Sequence, residues 1–167
     1  MWLMFVACAP SDAELATAVT ANGRALDGVR LGLEALEVRL DRHTAGDGLY
    51  GYNGTLGAGP GWSSGQVQVV GESVFEQDGT LGTYALELVY TEVAATGASL
   101  DGSLSWNLVE RTGDGRIDLD YAVVGTLTVD GAWEAELDYT RDITPTDEGF
   151  DEAWTGTING TDVSSLL

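Results

Sequence analysis

Residues 83–140 read TYALELVYTEVAATGASLDGSLSWNLVERTGDGRIDLDYAVVGTLTVDGAWEAELDYT, with apolar residues on every second position. Tyr84, Leu86, Leu88 and Tyr90 form one run, and Leu100, Leu104, Trp106 and Leu108 a second. A third holds Ile117, Leu119, Tyr121, Val123, Leu127 and Val129, and a fourth Trp133, Ala135, Leu137 and Tyr139. Successive side chains on a strand point to opposite faces, so this rhythm predicts four strands with one apolar and one acidic, polar face. Asp130-Gly131 separates the last two runs. A tight type I′ hairpin turn needs positive φ at both central residues, which Asp-Gly supplies. Thr112-Gly113-Asp114-Gly115 marks the turn between the second and third runs.

Outward from this block the signals weaken. Residues 66–75 read as one more strand, and 49–56 as a short one turned by Asn53-Gly54, inside a Gly-rich stretch, 44–65, that carries Pro60. Residues 143–149 form an acidic loop stiffened by Pro145. Residues 152–158, with Trp154 and Ile158, return to strand, and Asn159-Gly160 marks a last turn. Seven or eight short antiparallel strands predict a meander curved or closed into a half-barrel, barrel or sandwich.

The N-terminal part is helical in pattern. Ser11 and Glu14 make an S-x-x-E capping box, and Leu15, Val19, Leu26, Val29, Leu33, Leu36 and Leu40 follow 4-3 spacing with Asn22 in register. Arg39, Arg42 and His43 crowd the far end, where positive charge suits the helix carbonyls, and Gly46 follows. The expected helix spans residues 12–42, although Gly23, Gly28 and Gly32 each cost about 1 kcal/mol in a helix interior. Residues 29–33 and 36–40 also admit an alternating strand reading. The single stripe fits docking on the protein's own core better than a coiled-coil oligomer. The fold expected is therefore mainly β (α+β): a curved antiparallel meander sheet of seven to eight strands packed on one N-terminal helix. The alternative is a sheet closed on itself around a lipocalin-like cavity.

Composition narrows the function classes. The formal charge is −20, from 27 Asp and Glu against seven Arg and no Lys. Such a surface repels nucleic acid and anionic headgroups, so DNA or RNA binding is excluded as a main role. One Cys allows no internal disulfide, and with one His it makes no usual zinc site.

The chain opens Met1-Trp2-Leu3-Met4-Phe5-Val6-Ala7-Cys8-Ala9-Pro10-Ser11. A short apolar run ending in a small residue before Cys resembles the lipobox of bacterial lipoprotein signal peptides. The resemblance implies lipidation at Cys8 and a lipid-anchored protein of the bacterial cell envelope, at the outer membrane or in the periplasm. The implied organisation is a truncated signal peptide over 1–7, a tether over 8–11, the helix over 12–43 and the β domain over 44–167. Helix and β domain together form one globular unit, expected to be monomeric.

Several motifs carry residue types found in catalytic or binding sites. Gly61-Trp62-Ser63-Ser64-Gly65 matches the G-x-S-x-G nucleophile elbow, but it lies in a Gly/Pro loop leading into a strand, with His43 as the sole base. It is read as a chance match. Residues 110–121 faintly resemble an EF-hand loop through Asp114, Gly115, Ile117 and Asp118, but Tyr121 stands where a closing carboxylate belongs. A plain hairpin fits better. Asp147, Glu148, Asp151 and Glu152 read as a solvated acidic loop. Asn53-Gly54-Thr55 and Asn159-Gly160-Thr161 fit glycosylation sequons and are read as turns. Glu134, Glu136 and Asp138 share a strand face with no His or Lys beside them. Trp62, Trp106, Trp133 and Trp154 are candidate sugar-stacking rings, but three of them lie in apolar register, where core packing is the default reading, and only Trp62 looks loop-borne.

These signs point to a lipid-anchored envelope protein whose β domain binds or scaffolds without catalysis, with no cofactor or metal. The alternatives are a lipocalin-like carrier of hydrophobic ligands and a small outer-membrane β-barrel, since eight alternating strands also span a bilayer.

Overall fold

The structure, a computed structural model, describes residues 9–40 (backbone alone at Arg39), 48–76 and 79–167. Cys8 and His43 lie outside the described residues. One helix, α1 (Asp12–Gly32), precedes a 3-10 turn (Leu33–Ala35) and nine strands. These are β1 (Glu37–Arg39), β2 (Gly48–Leu56), β3 (Ser64–Phe75), β4 (Leu81–Ala95), β5 (Ala98–Gly113), β6 (Arg116–Val129), β7 (Trp133–Pro145), β8 (Phe150–Ile158) and β9 (Thr161–Asp162). They form one antiparallel sheet in chain order, β1 to β9. Its first and last strands do not pair among the described residues, so the sheet stays open.

The seven strands read from the sequence are β2 to β8, and the two extra ones are short additions at the edges. The alternation works as expected: Leu86, Leu88, Leu104, Trp106, Leu108, Tyr121, Val123, Leu127, Leu137 and Tyr139 are all buried. Glu134, Glu136 and Asp138 point outward and are exposed. Asp114-Gly115, Asp130-Gly131 and Asn159-Gly160 adopt positive φ at both residues, as type I′ hairpins require. Asn53-Gly54 does not turn. Both residues sit inside β2, opposite Val70 and Val69 of β3, because a long partner strand captures the segment.

The helix starts as read. The Ser11 side chain accepts the Glu14 N–H, and the Glu14 carboxylate accepts the Ser11 N–H at 2.7 Å. It ends earlier than expected, at Gly32 rather than beyond 40. Leu36 to Leu40 continue the 4-3 spacing by coincidence. Residues 37–39 instead pair with 50–52 of β2 as an edge strand. There Val38 and Leu40 are exposed, at 60% and 51%. The strand alternative for 36–40 was the correct one, and that for 29–33 was not.

One helix fills the concave face of the sheet. Gly23 packs under Trp154 of β8, and Gly32 packs under Leu56 of β2. Those helix positions are about 14 Å apart at 1.5 Å per residue. A flat sheet would separate β2 from β8 by roughly 29 Å at about 4.8 Å per strand. The sheet therefore curls around α1, and Leu15, Val19, Leu26, Val29 and Leu33 are buried in one continuous core with the strands.

Two glycines permit this closeness. A Cβ at Gly28 would lie 1.8 Å from the Pro60 carbonyl oxygen, so the helix glycine that costs propensity admits the β2–β3 loop. Within β5, Gly102 has φ +132, and a Cβ there would meet the Thr126 carbonyl oxygen at 2.5 Å. A side-chain-free inward position lets neighbouring strands bend toward the helix. A bulge between Tyr90 and Val93 adds to the bend. The φ of +51 at Glu92 is held by its N–H donating to the Asp101 carboxylate at 2.7 Å.

Candidate functional site

Among the described residues the one buried charged side chain is that of Arg141, and it lies where helix and sheet meet. The β7 alternation runs Ala135, Leu137, Tyr139, Arg141 and Ile143, all facing inward and buried. Its guanidinium donates through Nη1 to Asp27 of α1 at 2.8 Å. Through Nε and Nη2 it donates to both oxygens of Glu152 on β8, at 3.2 and 3.0 Å. The two-point geometry matches the fork of the guanidinium to the carboxylate. Tyr121 donates its hydroxyl to Asp27 at 3.1 Å, and Trp154 donates its indole N–H to Glu152 at 3.2 Å. The guanidinium carbon also stands 4.9 Å from the Trp154 ring centroid and 5.6 Å from that of Tyr121.

The charges are mutually supporting. Burial works against the Arg141 cation, but hydrogen bonds to Glu152 and the attraction of Asp27 outweigh it and hold the group charged. The hydrogen bonds from Arg141 in turn hold the Glu152 carboxyl below its usual range. Burial pushes the Tyr121 hydroxyl up, and the Asp27 charge pushes it further. It stays a neutral donor. Nearby, Asn22 of the helix stripe donates to the Tyr139 hydroxyl at 2.8 Å, which explains a polar residue in that register.

This network forms one wall of an open cleft of about 610 Å³ between α1, β8 and the C-terminal 3-10 turn (Val163–Ser165). Arg24, Thr20, Trp154, Glu152 and Ser164 contribute to its lining. A hollow of similar size, about 620 Å³, lies at the β5–β6 turn beside Arg111 and Arg116. There both arginines are already committed, Arg111 to Asp120 and Arg116 to Asp147.

The other sequence candidates fall elsewhere. Ser63 donates its hydroxyl to the Ala94 carbonyl at 3.2 Å, and its segment leads from a loop into β3, not from a strand into a helix. Trp62 is loop-borne, as read from the sequence, yet buried at 4% because its loop folds over Gly28. Trp106 is fully buried, edge-on to Tyr121 at 5.4 Å. Residues 110–121 form the β5–β6 hairpin, with Arg111 paired to Asp120 across it. Among the described residues no cluster of three His, Cys, Asp or Glu is placed to hold a metal ion. Asp147 and Glu152 of the acidic stretch serve as arginine partners. The signal that sequence reading passed over was Arg141 itself, a charge in the apolar register of a strand.

Compared with protein-family models, with curated proteins and with solved structures, the chain matches none.

Proposed function

We propose that this chain is a lipid-anchored protein of the bacterial cell envelope whose helix-filled half-barrel is a non-catalytic binding domain. Cys8 carries the lipid, the following residues to Ser11 are the tether, and the cleft beside Arg24 and Trp154 is where a ligand docks. The observation that carries the binding reading is the occupied concave face. With α1 seated inside the sheet, a small molecule has no room on the concave face, and the open cleft at the helix flank offers it a site. Clefts of about 300–1,000 Å³ are the usual size for such ligands. The anchor reading rests on the Val6-Ala7-Cys8 junction and on a folded domain that starts with a capped helix four residues later.

A carrier of hydrophobic ligands would need the interior that Leu26, Val29 and Leu33 occupy. A membrane barrel would need apolar outward positions, and β7 presents Glu134, Glu136, Asp138 and Asp142 there. Among the described residues no helix is long and apolar enough to cross a membrane. The anchor is tested by the intact mass of membrane-extracted protein. A diacylglycerol adduct on Cys8, lost with release from the membrane in Cys8→Ser, supports it. A free thiol on membrane-extracted protein refutes it.

A further inference from the structure

We propose that the cleft between α1 and β8 binds an acidic saccharide, its pyranose ring on the Trp154 indole and its carboxylate on Arg24. This rests on the reading of the domain as a binding module, and is independent of the lipid anchor.

The cation comes first. Among arginines whose side chains are described, Arg30, Arg111, Arg116 and Arg141 each hold a carboxylate, and Arg24 holds none. It is exposed on the wall of the cleft that Glu152 also lines. In a chain of charge −20 the long-range field repels anions. An anion therefore stays only where short contacts add to the charge, so Arg24 needs a neighbour that binds the rest of the ligand.

Trp154 is that neighbour. It is half-buried, with Gly23 of α1 packed against its edge, and three further contacts fix its ring. Its indole N–H is on Glu152, the Arg141 guanidinium stacks at 4.9 Å, and Tyr139 lies 5.5 Å away at a tilt of 41°. A ring already immobilised loses no rotamer entropy on binding. The C–H face of a pyranose packs on such a surface, and its hydroxyls need donors and acceptors in the same plane. Glu152, kept ionised by Arg141, has a lone pair left to accept, Thr20 stands on the same lining, and the Ser164 hydroxyl there, which donates to Asp162 at 2.9 Å, can still accept. A wholly apolar ligand would strip water from Arg24 and Glu152 without replacing it, at a cost. A bare anion would leave Trp154 unused. A sugar carrying a carboxylate satisfies both.

The test uses full-length Cys8→Ser protein and ¹H–¹⁵N spectra that follow the Trp154 indole N–H. Four probes are titrated: glucuronate, methyl glucoside, acetate and inorganic phosphate. The expected result is a saturable shift with glucuronate at least about tenfold tighter than with methyl glucoside or acetate, the size of one charge-assisted hydrogen-bond pair. Arg24→Gln, an exposed change, should erase the preference of glucuronate over methyl glucoside, and Trp154→Leu, followed through the backbone amides of Thr20 and Ser164 on the same lining, should show no saturable shift with either sugar in protein that still unfolds cooperatively. Absence of a saturable shift with glucuronate overturns the proposal. So does phosphate or acetate binding as tightly as glucuronate, which would make the cleft a general anion site. Equal affinity for methyl glucoside in the unsubstituted cleft overturns the role of Arg24.

Discussion

Replacing Arg141 by Met removes the charge that joins helix to sheet, together with the guanidinium that lies over the Tyr121 and Trp154 rings, while keeping most of the aliphatic stem. The Arg141 side chain is only 7% exposed, whereas those of Asp27 and Glu152 are 30% and 42% exposed. Breaking a fully buried ion pair by removing one partner costs about 3–5 kcal/mol, because the other charge is left without compensation. Here the two carboxylates keep part of their water, which lowers the expected loss to about 2–3 kcal/mol. For a domain of this length that corresponds to a melting point lower by roughly 5–10 °C. Urea titration followed by tryptophan fluorescence and by far-ultraviolet circular dichroism measures the loss. Both probes should move together, since Arg141 touches helix and sheet alike. A change below about 0.5 kcal/mol would show that the network is decorative and that apolar packing alone seats the helix.

The pH dependence follows from Glu152. Its carboxyl is held below the ordinary value of 4.5 by hydrogen bonds from Arg141, so its contribution is fully present above that value and fades as pH falls below it. Acid also relieves the repulsion of a −20 chain, which acts in the opposite direction. The readable quantity is thus the stability difference between wild type and Glu152→Gln, expected to be constant from pH 7 to 5 and to shrink below about 4.5. A difference that grows in acid contradicts the assignment. Leu33→Asp puts a carboxylate at a site only 4% exposed between helix and sheet, and should leave no cooperative urea transition. Leu33→Met should cost less than about 1.5 kcal/mol, and unfolding by both would show the site is merely intolerant. Raising ionic strength from about 0.01 to 1 M cuts the screening length from about 30 to 3 Å, and should raise the melting temperature by relieving the acidic surface. A fall would mean that exposed pairs such as Arg116–Asp147 outweigh the net repulsion.

What the sequence disclosed was whatever is local. Period-two alternation located β4 to β7 because one face of each is buried, and Asp-Gly and Asn-Gly located three hairpins through their tolerance of positive φ. The same local signal failed at Asn53-Gly54, where pairing along β3 overrides the dipeptide's preference. It failed again at Leu36 and Leu40, whose spacing continues the stripe although residues 37–39 pair with β2. Tertiary partners decided both. The candidate site was the least legible part. Arg141 stands out as a charge in an apolar register, but Asp27 is 114 residues away in sequence, and only the seating of the helix brings them together. The burial of loop-borne Trp62 was not legible for a related reason: its Gly-rich loop closes on a surface that Gly28 provides only once the chain is folded.

The central claim is that α1 is the core of the half-barrel and not an appendage to it. Native-state hydrogen exchange on the intact protein tests this residue by residue. Amides in the middle of α1, from Val19 to Val29, should open with free energies within about 1 kcal/mol of those in β5 and β6, because helix and sheet unfold as one unit. Exchange from the helix by a local opening several kcal/mol cheaper than that of the strands would contradict the account and leave a β sheet that holds its shape unaided.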